Sequence, residues 1–121
     1  MTKKEQRRRD GEQAIREQLQ PIADNAQDEE SRSIILSIIE RIAYLTIALG
    51  ELENQTVHEG YIVHYDNGGG QKGIRQHPAL TAYGQLHKSW ITSIKALKEF
   101  MDNEAGGIDE FQKFIEQHDG V

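Results

Sequence analysis

From about Asp28 to Val57, apolar residues fall at Ile35, Ile38, Ile42, Leu45, Leu49 and Leu52, with spacings alternating between three and four. That is an a/d heptad seam, and it predicts one long helix. Asp28, Glu29 and Glu30 sit where the first turn falls, a favourable place for negative charge. A second apolar set, Ile34, Ile39, Ile47 and Ala48, lies off the seam, so the apolar surface is wider than one partner helix covers. Another seam runs through Ala79, Tyr83, Leu86, Trp90, Ile94, Leu97 and Met101. It predicts a helix from Pro78, well suited to a first helical position, to about Asn103, stopped by Gly106-Gly107. Between the seams, Gly60 ends the first helix. Tyr61, Ile62, Val63 and Tyr65 favour extended backbone, and Asn67-Gly68-Gly69-Gly70 supplies positive φ angles.

The ends carry weaker patterns. Ala14, Ile15, Leu19 and Ile22 give residues 11–23 a thin helical stripe that Pro21 limits or kinks. Residues 1–9 hold no apolar side chain after Met1 and read as a disordered arm. Near the other end, Ile108, Phe111, Phe114 and Ile115 predict a short helix from Asp109 to about Gln117, with Asp109 and Gln112 resembling a capping box. The expected architecture is all-α. A long antiparallel helical hairpin (28–104) contains a glycine-rich ordered connector (58–78). A basic flexible arm with a weak helix (1–27) and a short C-terminal helix (105–121) flank it.

Charge changes this picture. Lys3, Lys4, Arg7, Arg8 and Arg9 against Glu5 give the first nine residues a net charge of +4, within a total of −6, so the rest carries −10. A basic arm on an acidic body is a pattern for contact with a polyanion, and solubilising tails share it. There is no cysteine, which removes disulfides and thiolate chemistry. No apolar run is read as long enough to span a bilayer, and Met1-Thr2-Lys3-Lys4 does not open a signal peptide.

Candidate chemistry is sparse. Gly70-Gln71-Lys72-Gly73 puts Lys before Gly, with no Ser or Thr after the lysine, so it fails the P-loop pattern. Lys72 and Arg75 could still meet backbone phosphates. His58, His64, His77, His87 and His118 lack the i, i+4 spacing of a helical metal site. No catalytic constellation, metal site or cofactor is expected. Tyr83 and Trp90, seven apart, share a helical face. They read as core, or as anchors if that face meets another subunit.

The order Asn67-Gly68, Gln71-Lys72-Gly73 and His77-Pro78-Ala79-Leu80 lies between an isoleucine-rich helix and a helix with Tyr83, Lys88 and Ile94-Lys95-Ala96-Leu97. It resembles the small subunit of bacteriophage terminases, over about residues 30–101. The resemblance implies a non-enzymatic homo-oligomeric ring in the host cytoplasm, with no membrane. Such a ring binds double-stranded viral DNA and helps a large ATPase/nuclease subunit begin packaging. On this reading Ile35, Ile38, Ile42, Leu45, Leu49, Leu52, Tyr83, Leu86, Trp90, Ile94 and Leu97 serve oligomerisation. Ile108, Phe111, Phe114 and Ile115 either contact the large subunit or cap their own hairpin. About 27 residues precede the long helix, too few for a trihelical DNA-binding domain. DNA contact is therefore expected from Lys3, Lys4, Arg7, Arg8 and Arg9, from Lys72 and Arg75, or from the ring. The alternatives are a helical oligomeric adaptor, or a small regulatory protein, without a packaging role.

Overall fold

A computed structural model describes residues 1–102 and 107–118. Its elements are α1 (Lys3–Asp24), α2 (Glu29–Glu59), β1 (Ile62–Asp66), β2 (Lys72–Gln76), α3 (Pro78–Asp102) and α4 (Ile108–Gln117). The chain is mainly helical with a small two-stranded hairpin. The expected all-α class is corrected at the connector. β1 and β2 pair antiparallel from Ile62 opposite Gln76 to Asp66 opposite Lys72. The turn between them uses three successive positive-φ glycines, Gly68, Gly69 and Gly70. The Tyr65 ring covers Gly73, where a Cβ would stand 2.6 Å from the Tyr65 hydroxyl oxygen. At the base of the hairpin the His77 N–H donates to the Tyr61 carbonyl at 2.8 Å.

Residues 1–9 are not a disordered arm: α1 starts at Lys3. The Thr2 hydroxyl accepts from the Glu5 N–H at 3.0 Å, and the Glu5 carboxylate accepts from the Thr2 N–H at 3.2 Å. This capping box satisfies two N–H groups that a bare helix start leaves unpaired. Pro21 sits in the last turn, and α1 ends soon after at Asn25, whose N–H and side-chain amide both donate to the Pro21 carbonyl. For α2, the N-cap is Asp28, whose carboxylate accepts from the Ser31 N–H at 2.7 Å.

α2 lies between α1 and α3. Its expected seam packs as read at Ile35, Ile42, Leu45 and Leu49, all buried, with Ile38 and Leu52 half-buried. Of the surplus apolar set, Ile39 is buried and Ile47 and Ala48 are half-buried within the same chain, while Ile34 stays exposed. Arg16 reaches Glu40, Gly11 lies against Ile47 and Arg8 reaches Glu51, so the stripe through Ala43 faces α1. A Cβ on Gly11 would come 2.7 Å from the end of the Ile47 side chain, so glycine permits that close approach. Ile15, Leu19, Ile22 and Ala23 of α1 complete this layer, all buried.

On the other side the α3 seam matches burial, with Ala79, Trp90, Leu97 and Met101 buried and Tyr83, Leu86 and Ile94 half-buried. The Trp90 indole N–H donates to the Thr46 hydroxyl at 2.9 Å, and that hydroxyl donates to the Ile42 carbonyl at 2.7 Å. A buried polar pair is thereby satisfied.

The expected C-terminal helix is present as α4, but its N-cap is Gly107 in the left-handed region, with no side-chain cap. The Asp109–Gln112 capping box is therefore corrected. Gly107 sits against Ile22, and Gln18 bonds Gln117 at 3.0 Å. α4 thus folds back on α1. The expected end of α3 at Asn103 and the stop at Gly106 lie outside the described residues.

One composition reading also changes. α2 contains an 18-residue window of mean hydropathy 1.7, long and apolar enough to cross a membrane by length and composition. The alternating spacing hid this, because no single run of apolar residues is long. A helix packed between two others needs the same composition.

Candidate nucleic-acid interface

The two groups of basic residues share one end of the molecule. α1 runs antiparallel to α2, since residues 8, 11 and 16 stand opposite 51, 47 and 40. α2 continues eight residues beyond Glu51, about 12 Å at 1.5 Å per residue, and the hairpin springs from that end. Lys3 and Lys4 lie more than a turn of α1 further out than Arg8, level with the last turns of α2. The first turns of α1 and the hairpin therefore share an end. The opposite end carries Asp24, Asp28, Glu29 and Glu30 at the α1–α2 turn, with Asp109 beside the end of α1. Glu51, Glu53 and Glu59 of α2 and Asp66 of β1 also lie at the hairpin end, and Arg32 pairs with Asp24 and Glu29 at the other. Residues 1–9 (+4) and 51–78 (−2) together carry +2, within a total of −6, so the rest of the chain carries −8.

Not all of the basic residues are equally available. Arg8 continues the core-facing stripe of α1, and its guanidinium donates to both Glu51 oxygens, one bond being 2.8 Å. The Glu51 hydrogen bond raises the Arg8 pKa, and the same bond holds the Glu51 carboxyl below its ordinary value. Arg8 is thus engaged in holding α1 on α2. Lys72 stands 3.8 Å from Asp66 across the strands, both exposed. Among the described residues Lys3, Lys4, Arg7, Arg9 and Arg75 are exposed and make no salt bridge, though the charge of Lys4 adds to that of Arg8 in holding the Glu51 carboxyl down.

His77 builds the root of the hairpin. It is 4% exposed. Its Nδ1 accepts from the Ala79 N–H at 3.0 Å, so in this tautomer Nε2 carries the proton and donates to Glu59 at 3.0 Å. The first bond caps α3, and the second ties the end of α2 to the start of α3. The His77 bond is the main reason the Glu59 carboxyl is held below its ordinary value.

The residues expected to oligomerise are mostly inside the chain. Ile35, Ile42, Leu45, Leu49, Trp90 and Leu97 are buried, and Ile38, Leu52, Tyr83, Leu86 and Ile94 are half-buried. They hold α1, α2, α3 and α4 together, so the wide-face argument for a neighbouring subunit loses its main residues. The Tyr83, His87 and Trp90 rings stack along α3, at centroid distances of 5.8 and 6.0 Å. Among the described residues, the large apolar side chains that stay exposed on the helices are Ile34, Tyr44, Val57, Ile91 and Ile108; Tyr44 also lines a shallow groove with Arg41 of α2 and Thr92 and Ser93 of α3. Of the four residues expected to contact a large subunit, Phe114 is fully buried, Phe111 and Ile115 are half-buried against the core, and Ile108 alone is exposed. The segment folds back on its own chain, as the alternative expected, but against α1 and not mainly on the α2–α3 hairpin.

Sequence reading missed the exposed hairpin face that carries His64 and Gln76. The signal was present as the β-forming Tyr61, Ile62, Val63 and Tyr65 followed by Asn67-Gly68, a short-range hairpin cue. Among the described residues no cluster of three His, Cys, Asp or Glu could hold a metal ion. Compared with protein-family models, curated proteins and solved structures, the chain matches none.

Proposed function

We propose that this protein is a non-catalytic small subunit of a phage terminase. It binds double-stranded viral DNA through its basic end and regulates a large ATPase/nuclease subunit to start genome packaging. The observation that carries the reading is that α1's first turns and the hairpin lie at the same end, which puts Lys3, Lys4, Arg7 and Arg9 at the same pole as Lys72 and Arg75, opposite the acidic turn. Residues some sixty positions apart thereby form one surface complementary to phosphate. The ordered loop-and-helix pattern from Asn67 to Leu97 supports the packaging role through its resemblance to the terminase small subunit. Assembly into a ring in the host cytoplasm belongs to the same proposal and draws on the exposed Ile34, Tyr44 and Ile91. A ring would repeat the basic end once per subunit, raising effective concentration on DNA without new contacts.

A phage in which this gene is disrupted is expected to accumulate empty procapsids and unpackaged DNA, restored by supplying the protein. Filled capsids at ordinary yield would overturn the packaging role.

A further inference from the structure

We infer that the exposed face of the β1–β2 hairpin lies along the major groove of double-stranded DNA and reads base edges. This rests on the DNA-binding reading above and goes further, because that reading needs only phosphate contacts. Cross-strand partners share a face, so the register puts Ile62, His64, Asp66, Lys72, Ile74 and Gln76 on one side. All six are exposed, whereas on the other side Val63, Tyr65 and Gly73 are half-buried and Arg75 is exposed. A lone two-stranded hairpin is marginal in water. A face with two exposed isoleucines is therefore a costly feature unless something covers it.

Charge and chemistry select the occupant. The exposed cations of α1 share the hairpin's end, where residues 1–9 and 51–78 together carry +2 against −8 for the rest of the chain, so the covering surface is anionic. The face itself mixes apolar side chains with an amide and an imidazole, which suits base edges. An amide can bond adenine in a bidentate manner, and apolar side chains meet the thymine methyl. The dimensions agree. Five residues per strand span about 17 Å with strands about 4.8 Å apart, and a major groove about 12 Å wide admits a two-stranded ribbon. Gly68, Gly69 and Gly70 leave the tip without side chains. Asp66 opposes DNA least when neutralised, and its two oxygens are held by the Gly68 N–H at 2.8 Å and by Lys72. In this arrangement Gln76 and His64 specify, and Lys3, Lys4, Arg7 and Arg9 position through phosphates.

The test uses the intact protein and a His64→Ala/Gln76→Ala variant, each incubated with a pool of random-sequence duplexes from which bound DNA is sequenced. The parent is expected to enrich a preferred sequence. The variant should bind the unselected pool with the parent's affinity and salt slope but lose about fivefold or more of the preference. Replacing purines of the preferred site by 7-deaza analogues, which lack the major-groove N7, should weaken the parent and leave the variant unchanged. A variant that keeps the parent's preference overturns the inference, as does a parent that binds duplex and enriches nothing; both leave phosphate binding intact. A variant with altered sedimentation in the absence of DNA and an unaltered preference makes the face a contact with a second copy, which also overturns it. A parent that retains no duplex even at low salt sinks the DNA reading and this inference together.

Discussion

The helical body and the hairpin end are built on opposite terms. In the body, Leu19, Ile42, Leu49 and Leu97 are completely buried, and the one buried indole N–H has its acceptor in Thr46. At the hairpin end, Tyr61, Ile62 and Ile74 are more than half exposed, and among the described residues Lys3, Lys4, Arg7, Arg9 and Arg75 stand without salt bridges. The body shows what makes the chain fold. The hairpin end spends stability on side chains that gain nothing from water, which is the mark of a surface kept for binding.

The largest expected effect lies in the α1–α2 layer. Leu19→Ala should destabilise the protein by about 2–5 kcal/mol in urea denaturation. A loss below about 1 kcal/mol would mean that α1 is not docked, and would return α2's second face to a neighbouring subunit. Thr46→Val keeps the shape but leaves the Trp90 N–H buried without its partner, at a cost of about 1–3 kcal/mol. Unfolding followed by fluorescence of Trp90, the only tryptophan, reads it directly; an unchanged midpoint would mean that the indole finds another acceptor. Thr2→Ala removes the capping box and should cost about 1 kcal/mol of local helix stability. Faster amide exchange confined to the first turns of α1 is the expected readout, and no change there would make residues 1–9 the disordered arm of the simpler reading. Smallest is Ile74→Thr on the hairpin, expected to alter stability by no more than about 0.5 kcal/mol. A larger loss would show the hairpin packed like the body and erase the contrast.

The sequence made the body legible because burial imposes a period. The α3 seam from Ala79 to Met101 matched burial, and α2 was read correctly as a long helix with apolar surface to spare. What covers that surface was not legible. The stripe Ile15–Leu19–Ile22 is short, and nothing in it announces that α1 docks where Ala43 and Ile47 lie. The start of α1 was missed because five cations near a helix N-terminus oppose the helix dipole. The Thr2–Glu5 capping box and the Arg8–Glu51 pair offset that opposition, and only the first of these is a local pattern. The hairpin was read as an ordered connector because five-residue strands carry little periodic signal. The juxtaposition of its cations with those of α1 is purely tertiary.

That juxtaposition is the central claim, and the salt dependence of DNA binding tests it most directly. The intact protein and a Lys3→Ala/Lys4→Ala/Arg7→Ala/Arg9→Ala variant, which keeps the Arg8–Glu51 pair, would be titrated with a fluorescent duplex from low to near-physiological salt. If α1's first turns contact phosphates, the variant should bind more weakly to every duplex, and the log–log salt slope should fall by up to about 3.6 per protein chain. Equal affinity and equal slope for the two proteins would remove α1 from the interface and contradict the account.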